Sequence, residues 1–141
     1  MEQCMTVQQA ISAPTEKVWQ ALTDPNEMKK WYFDIPDFAA VPGHVFSFEA
    51  GSEDQKYYHE LEILEAVPLK KLVHTWTYPH LSPAVTTVEW TLEDSDGATL
   101  VTLKHSGVSA FSGLGKDFQQ QSFENGWQEI VTKMLRNHAE N

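Results

Sequence analysis

From Val45 to His105 apolar and polar residues alternate with a period of two, as in strands that have one buried face. The run divides into HVFSFEA, KYYHELEILEA, KLVHTWTY, TTVEWTLED and TLVTLKH, separated by the polar GSEDQ, by VPLK, by the proline-bounded PHLSPA and by DSDGAT. Asp96-Gly97 is a tight-hairpin signal, and all four connections are short. The pattern therefore predicts five successive strands in an antiparallel meander. Glu60 and Glu62 oppose Leu61 and Ile63; Glu89, Thr91 and Glu93 oppose Val88, Trp90 and Leu92; Thr102 and Lys104 oppose Val101 and Leu103. One face of the sheet is thus wet and the other dry, and the dry face needs a cover.

Before this run, MTVQQAIS places Val7, Gln9 and Ile11 on one parity, which predicts an N-terminal strand. PTEKVWQALT follows as a short helix opened by Pro14, with Val18, Ala21 and Leu22 on one face. A second short helix starts at Asp24 as N-cap, with Pro25 in its first turn and Glu27 completing a capping-box pattern, and runs to about Trp31. At the other end, SFENGWQEIVTKML contains Asn125-Gly126, a hairpin signal. Yet Phe123, Trp127, Ile130 and Met134 fall at i, i+4, i+7 and i+11, and Val131, Leu135 and His138 widen that stripe. No partner strand follows Gly126, so the segment predicts a long amphipathic helix that covers the dry face. Glycine inside a helix costs about 1 kcal/mol against alanine. The expected compensation is close approach of the helix to the sheet beside Trp127.

The chain has 141 residues, 41% of them hydrophobic and 11% aromatic, enough for one domain with a single core, residues 1–141. Its formal charge of −10 argues against a nucleic-acid partner and against docking on an anionic membrane surface. No basic segment leads into an apolar run near Met1, and no stretch has the apolar length of a bilayer span, so a cytoplasmic protein is expected. Cys4 is the lone cysteine, which excludes an internal disulfide and a multi-cysteine zinc site.

The order of strand, two short helices, meander and long helix is that of the α+β helix-grip fold, a curved antiparallel sheet wrapped around a C-terminal helix. ISAPTEKVWQALTDPNEMKKW, PGHVFSF, KKLVHTW, TLVTLKHSGV and ENGWQEIVTKML carry a specific resemblance. Together they make the chain similar to the START-like (SRPBCC, Bet v allergen-like) superfamily. Within it the chain resembles the stand-alone domains related to the C-terminal part of the activator of the ninety-kilodalton heat-shock protein ATPase. The resemblance implies an apolar cavity between sheet and helix. Superfamily members bind lipids, sterols, polyketides or hormones, and a minority act on them as enzymes. The activator proteins also have an N-terminal domain that contributes to chaperone stimulation, for which these residues leave no room.

Candidate binding residues are large side chains on the dry parity: Trp31, Phe46, Phe48, His59, Trp76, Trp90, Phe123 and Trp127. His59 and His74 fall on the inward parity of neighbouring strands, where they are either hydrogen-bonded core residues or acid–base groups. His105 ends its strand and is expected to organise the following turn. The segment SGVSAFSGLGKD is either a flexible lid over the cavity mouth or an ordinary loop. His74 and His80 are six residues apart with Pro79 between them, about 20 Å along a strand. With no His-x-His, no His-Glu-x-x-His and no glycine-serine nucleophile elbow, neither a metal site nor a catalytic set is expected. The residues thus predict a non-catalytic binder of a small hydrophobic molecule, without a cofactor. A heat-shock chaperone cofactor and a cyclase-like enzyme are the alternatives.

Overall fold

β1 (Cys4–Ile11) lies at one edge of a six-stranded, fully antiparallel, curved sheet in the computed structural model, which describes residues 4–51 and 56–141. The other strands are β2 (Val45–Gly51), β3 (Lys56–Val67), β4 (Lys71–Trp76), β5 (Thr86–Ser95) and β6 (Ala98–Ser106). Their order is β1-β6-β5-β4-β3-β2, so the predicted meander is present and β1 closes against its far end. The β2–β3 connection through GSEDQ lies, beyond Gly51, outside the described residues. At the β5–β6 hairpin Asp96 and Gly97 both have positive φ, 52° and 84°, the backbone that a two-residue turn with the right strand twist requires. Alternation holds along β5, where Val88, Trp90 and Leu92 are buried and Glu89 and Thr91 are half-buried on the other face. In β3 the register shifts between Ile63 and Glu65. Leu64 is the extra residue of this bulge and is left 46% exposed.

Helices α1 (Thr15–Thr23) and α2 (Pro25–Trp31) follow β1 as expected. Pro14 is the N-cap residue of α1, one position earlier than predicted, and the Asp24 Oδ1 accepts the Asn26 N–H at 2.9 Å to cap α2. The predicted capping box does not form. The Glu27 carboxylate instead reaches Lys30 at 3.4 Å and His138 Nε2 at 2.9 Å, tying α2 to the end of the chain. After β6 the chain makes two short 3₁₀ turns, Val108–Leu114 and Lys116–Phe118. They are pinned by Val108, Phe111 and Phe118, each at most 3% exposed. This segment is therefore anchored by its own aromatic side chains.

The C-terminal helix consists of α3 (Gln120–Glu129), a π-helical stretch (Ile130–Leu135) and α4 (Arg136–Glu140). Asn125-Gly126 sits within α3, so the helical reading of this segment prevails over the hairpin reading. The buried stripe is Phe123, Trp127, Val131, Leu135 and Ala139, a strict i+4 series, whereas Ile130 and Met134 are only half-buried. In a regular α-helix each i+4 step drifts about 40° around the axis. The wider π turns undo that drift and keep the stripe on the sheet.

Gly126 does not have the role expected of it. It is exposed, and a Cβ built there meets nothing within 4 Å. Gly126→Ala is expected to stabilise the protein by about 0.5–1 kcal/mol, because alanine removes the helix penalty without a clash. Urea unfolding checks this; a lower midpoint would mean that the position is sterically closed.

Candidate functional site

The helix packs chiefly against β1, and its segment from Ser122 to Ile130 spans a gap over the far ends of β2, β3 and β4. That gap is an open cleft of about 290 Å³. Its floor is His59, Trp76 and Tyr78; its roof is Phe123, Gly126, Trp127 and Ile130; Phe33, Tyr57 and Asp117 close the sides and mouth. The bare Gly126 leaves part of this space free. Packing among the aromatics is edge-on, Trp76 meeting Trp127 at 5.1 Å between centroids and His59 at 5.0 Å. Behind the floor His59 stacks on Phe48 at 4.7 Å, nearly parallel. At the mouth the Tyr57 hydroxyl donates to Asp117 Oδ2 at 2.8 Å, and this bond and the neighbouring charge push the Tyr57 phenol pKa up.

A second, internal void of only about 20 Å³ lies beneath α1 and α2, bounded by Trp31, Tyr32, Phe46, His74 and Trp90 among others. It is too small for an organic ligand.

Buried histidines organise the interior between these two spaces. His105 is fully buried, against the expectation of a turn residue. Trp127 Nε1–H donates to His105 Nδ1 at 3.0 Å, so Nδ1 is an unprotonated acceptor and the proton sits on Nε2. Nε2–H then donates to Thr86 Oγ1 at 2.8 Å, and the Thr86 hydroxyl donates to the Trp76 carbonyl at 2.7 Å. One chain of three hydrogen bonds thus locks roof to floor. Burial depresses the His105 pKa to about 3, with His74 nearby adding to the effect.

His74 is likewise saturated. Its Nδ1–H donates to the Thr75 carbonyl at 2.9 Å and its Nε2 accepts from Trp90 Nε1–H at 3.3 Å. Burial lowers its pKa to about 4. His59 differs in lining the cleft, although it is only 5% exposed. Its Nδ1–H donates to the Tyr57 carbonyl at 2.8 Å, and burial, opposed by its backbone hydrogen bonds, lowers its pKa to about 4. Both rings are therefore neutral at pH 7. Tyr78 accepts from Trp76 Nε1–H at 2.9 Å, and burial holds its phenol protonated by pushing its pKa up to about 12. Among the described residues its own O–H proton has no partner. No group of three or more His, Cys, Asp or Glu side chains among them converges where a cation could sit.

A family model described as Activator of Hsp90 ATPase homolog 1-like protein matches residues 12–140. The chain belongs to that family. It is the START-like branch whose resemblance the sequence carries, and the fold of this Hsp90-activator-like family is a ligand-binding one. Protein MLL2253 from Mesorhizobium loti is 27% identical and superposes with a TM-score of 0.76, each chain covered to 96%. CalU16 from Micromonospora echinospora, 22% identical, has a TM-score of 0.68 over 96% of this chain and 73% of its own. The Aha1 dimer structure from Colwellia psychrerythraea, 20% identical, has a TM-score of 0.70 over 98% of this chain and 96% of its own. The last two likenesses speak to the fold alone. A comparison with curated proteins gives no match.

In this Hsp90-activator-like chain seven of the eight candidate residues divide between the two spaces. His59, Trp76, Phe123 and Trp127 line the cleft; Trp31, Phe46 and Trp90 line the small void; Phe48 stands behind His59 and touches Phe33 at 4.3 Å. Nine lining residues were not among the candidates, and four of these have aromatic or charged side chains: Phe33, Tyr57, Tyr78 and Asp117. Tyr78 shares the parity of Trp76, a usable signal. Phe33 and Asp117 lie outside the strands and carried none. No helix among the described residues is long and apolar enough to cross a membrane.

Proposed function

We propose that this chain is a non-catalytic binding protein that holds a small, mostly apolar molecule, lipid-like or aromatic, in the cleft between β2–β4 and α3. The observation that carries the reading is a gap of about 290 Å³ walled by aromatic rings where the helix could have closed on the sheet. Apolar walls with a few placed polar groups are what small-molecule sites require. Tyr78 supplies an uncommitted hydroxyl donor. His59 and His74 are engaged through their Nδ1–H groups, and His74 does not line the cleft, which favours holding a molecule over transforming it. The same reading has the protein working in the cytoplasm.

Trp76 and Trp127 make the test direct. Titration with a lipid and aromatic library should change tryptophan emission saturably. Gly126→Leu, which puts a side chain into the cleft from a position with free space, should weaken binding at least about tenfold while leaving the fold stable. Absence of any saturable binder among both classes sinks the reading. The family name motivates one further assay, pulldown with the large heat-shock ATPase and measurement of its turnover. Stimulation there would assign a chaperone-cofactor role.

A further inference from the structure

The proposed binding role leaves the chemical class of the ligand open, and the charge pattern of the cleft narrows it. The side walls and floor offer Phe33, Tyr57, Trp76 and Tyr78 as aromatic surface, and among the described residues the mouth carries one carboxylate, Asp117. That carboxylate is held in place. Tyr57 OH grips its Oδ2 at 2.8 Å, and the next residue, Phe118, is 3% exposed and packs edge-on against Tyr57 at 4.8 Å and Tyr78 at 5.0 Å. Its second oxygen has no bond among the described residues. Among the described residues no cation lines the cleft: His59 is neutral, and neither Lys116 nor Lys56, whose backbone pairs with that of Gly51, is among the lining residues. The other hydroxyl near the mouth, on Ser122, already donates to the Lys116 carbonyl at 2.9 Å.

An anionic ligand would meet a fixed negative charge and no compensating positive one. A cation meets the opposite situation twice over, because aromatic faces attract positive charge as well. Resting on the binding role above, we propose that the cleft selects a planar aromatic molecule of two or three rings carrying an amine protonated at neutral pH, its rings against Trp76 and Tyr78 and its ammonium at Asp117.

Naphthylmethylamine, naphthalenemethanol and naphthoic acid form a series of one size and three charges. Calorimetric titration at neutral pH and about 0.15 M salt, where distant surface charges are screened beyond about 8 Å, compares them. The amine should bind about three- to fivefold tighter than the alcohol, as an exposed ion pair provides, and at least about tenfold tighter than the acid. Asp117→Asn keeps an acceptor for Tyr57 and should bring the amine-to-alcohol ratio to about one. Equal binding of all three, tighter binding of the acid, or a ratio that survives Asp117→Asn overturns the charge selection while the binding role stands. Failure of all three ligands overturns the selection too. If the wider library also fails, the binding role falls with it.

Discussion

His105→Ala is expected to lower the unfolding free energy by about 3–4 kcal/mol, a large part of the roughly 5–15 kcal/mol by which an ordinary protein is stable. The substitution removes the acceptor of Trp127 Nε1–H and the donor to Thr86 Oγ1 at once, both within a site with no exposed surface on His105. Each polar group left unpaired in the interior costs about 1–3 kcal/mol, and the vacated imidazole volume adds a cavity cost. Because Trp127 belongs to the helix and Thr86 to β5, the loss should also loosen the cleft, visible as red-shifted tryptophan emission in the native state. Thr86→Val, which keeps the shape and strands only His105 Nε2–H and the Trp76 carbonyl, should cost about half as much. Urea unfolding of both variants decides. A loss below about 1 kcal/mol for His105→Ala would show that the chain of bonds does not hold the helix to the sheet.

Acid should destabilise this protein well before its carboxylates protonate. His59, His74 and His105 have folded-state pKa values lowered from 6.5 to about 4, 4 and 3, all chiefly through burial. The unfolded chain therefore takes up protons below pH 6.5 that the folded chain refuses. The stability these neutral rings carry is complete above that pH and is lost as pH falls toward the folded values. Each pH unit in the window costs about 1.4 kcal/mol per histidine, or about 4 kcal/mol for the three. Glu27 and Glu140, whose pKa values lie below the usual 4.5, add their own loss only at lower pH, so the histidine window can be read separately. The urea midpoint should fall steeply between pH 7 and pH 5. A flat midpoint across that interval would contradict three buried, neutral imidazoles.

Short-range pattern was enough for the elements and their order. Alternation in β3 to β6, the hairpin at Asp96-Gly97 and Pro25 after the Asp24 cap are consequences of local sterics and of the need to bury one face. They appear in the structure within a residue or so of the positions read from the chain. The helix stripe was ambiguous for a definable reason. Ile130 and Val131 are both apolar, as are Met134 and Leu135, so an α-period and an i+4 series are written over one another.

Residue types and periodicity by themselves determined the strands and helices, their order, the dry face and the aromatic character of the interior, because each follows from contacts a few residues apart or from one repeating period; the curved sheet gripping the helix came with the family resemblance. Tertiary structure alone decided which aromatics share a space. Trp76 and Trp127 meet at 5.1 Å although 51 positions separate them, and Trp31, on the same apolar inventory, lines the small void instead of the cleft. It also chose the π turn that turns Val131 and Leu135 to the sheet, and it placed His105 at the centre, where two partners from distant elements converge on its two nitrogens. No period along the chain encodes such convergence, since the partners lie 19 and 22 residues away on elements whose approach is set only when the helix docks.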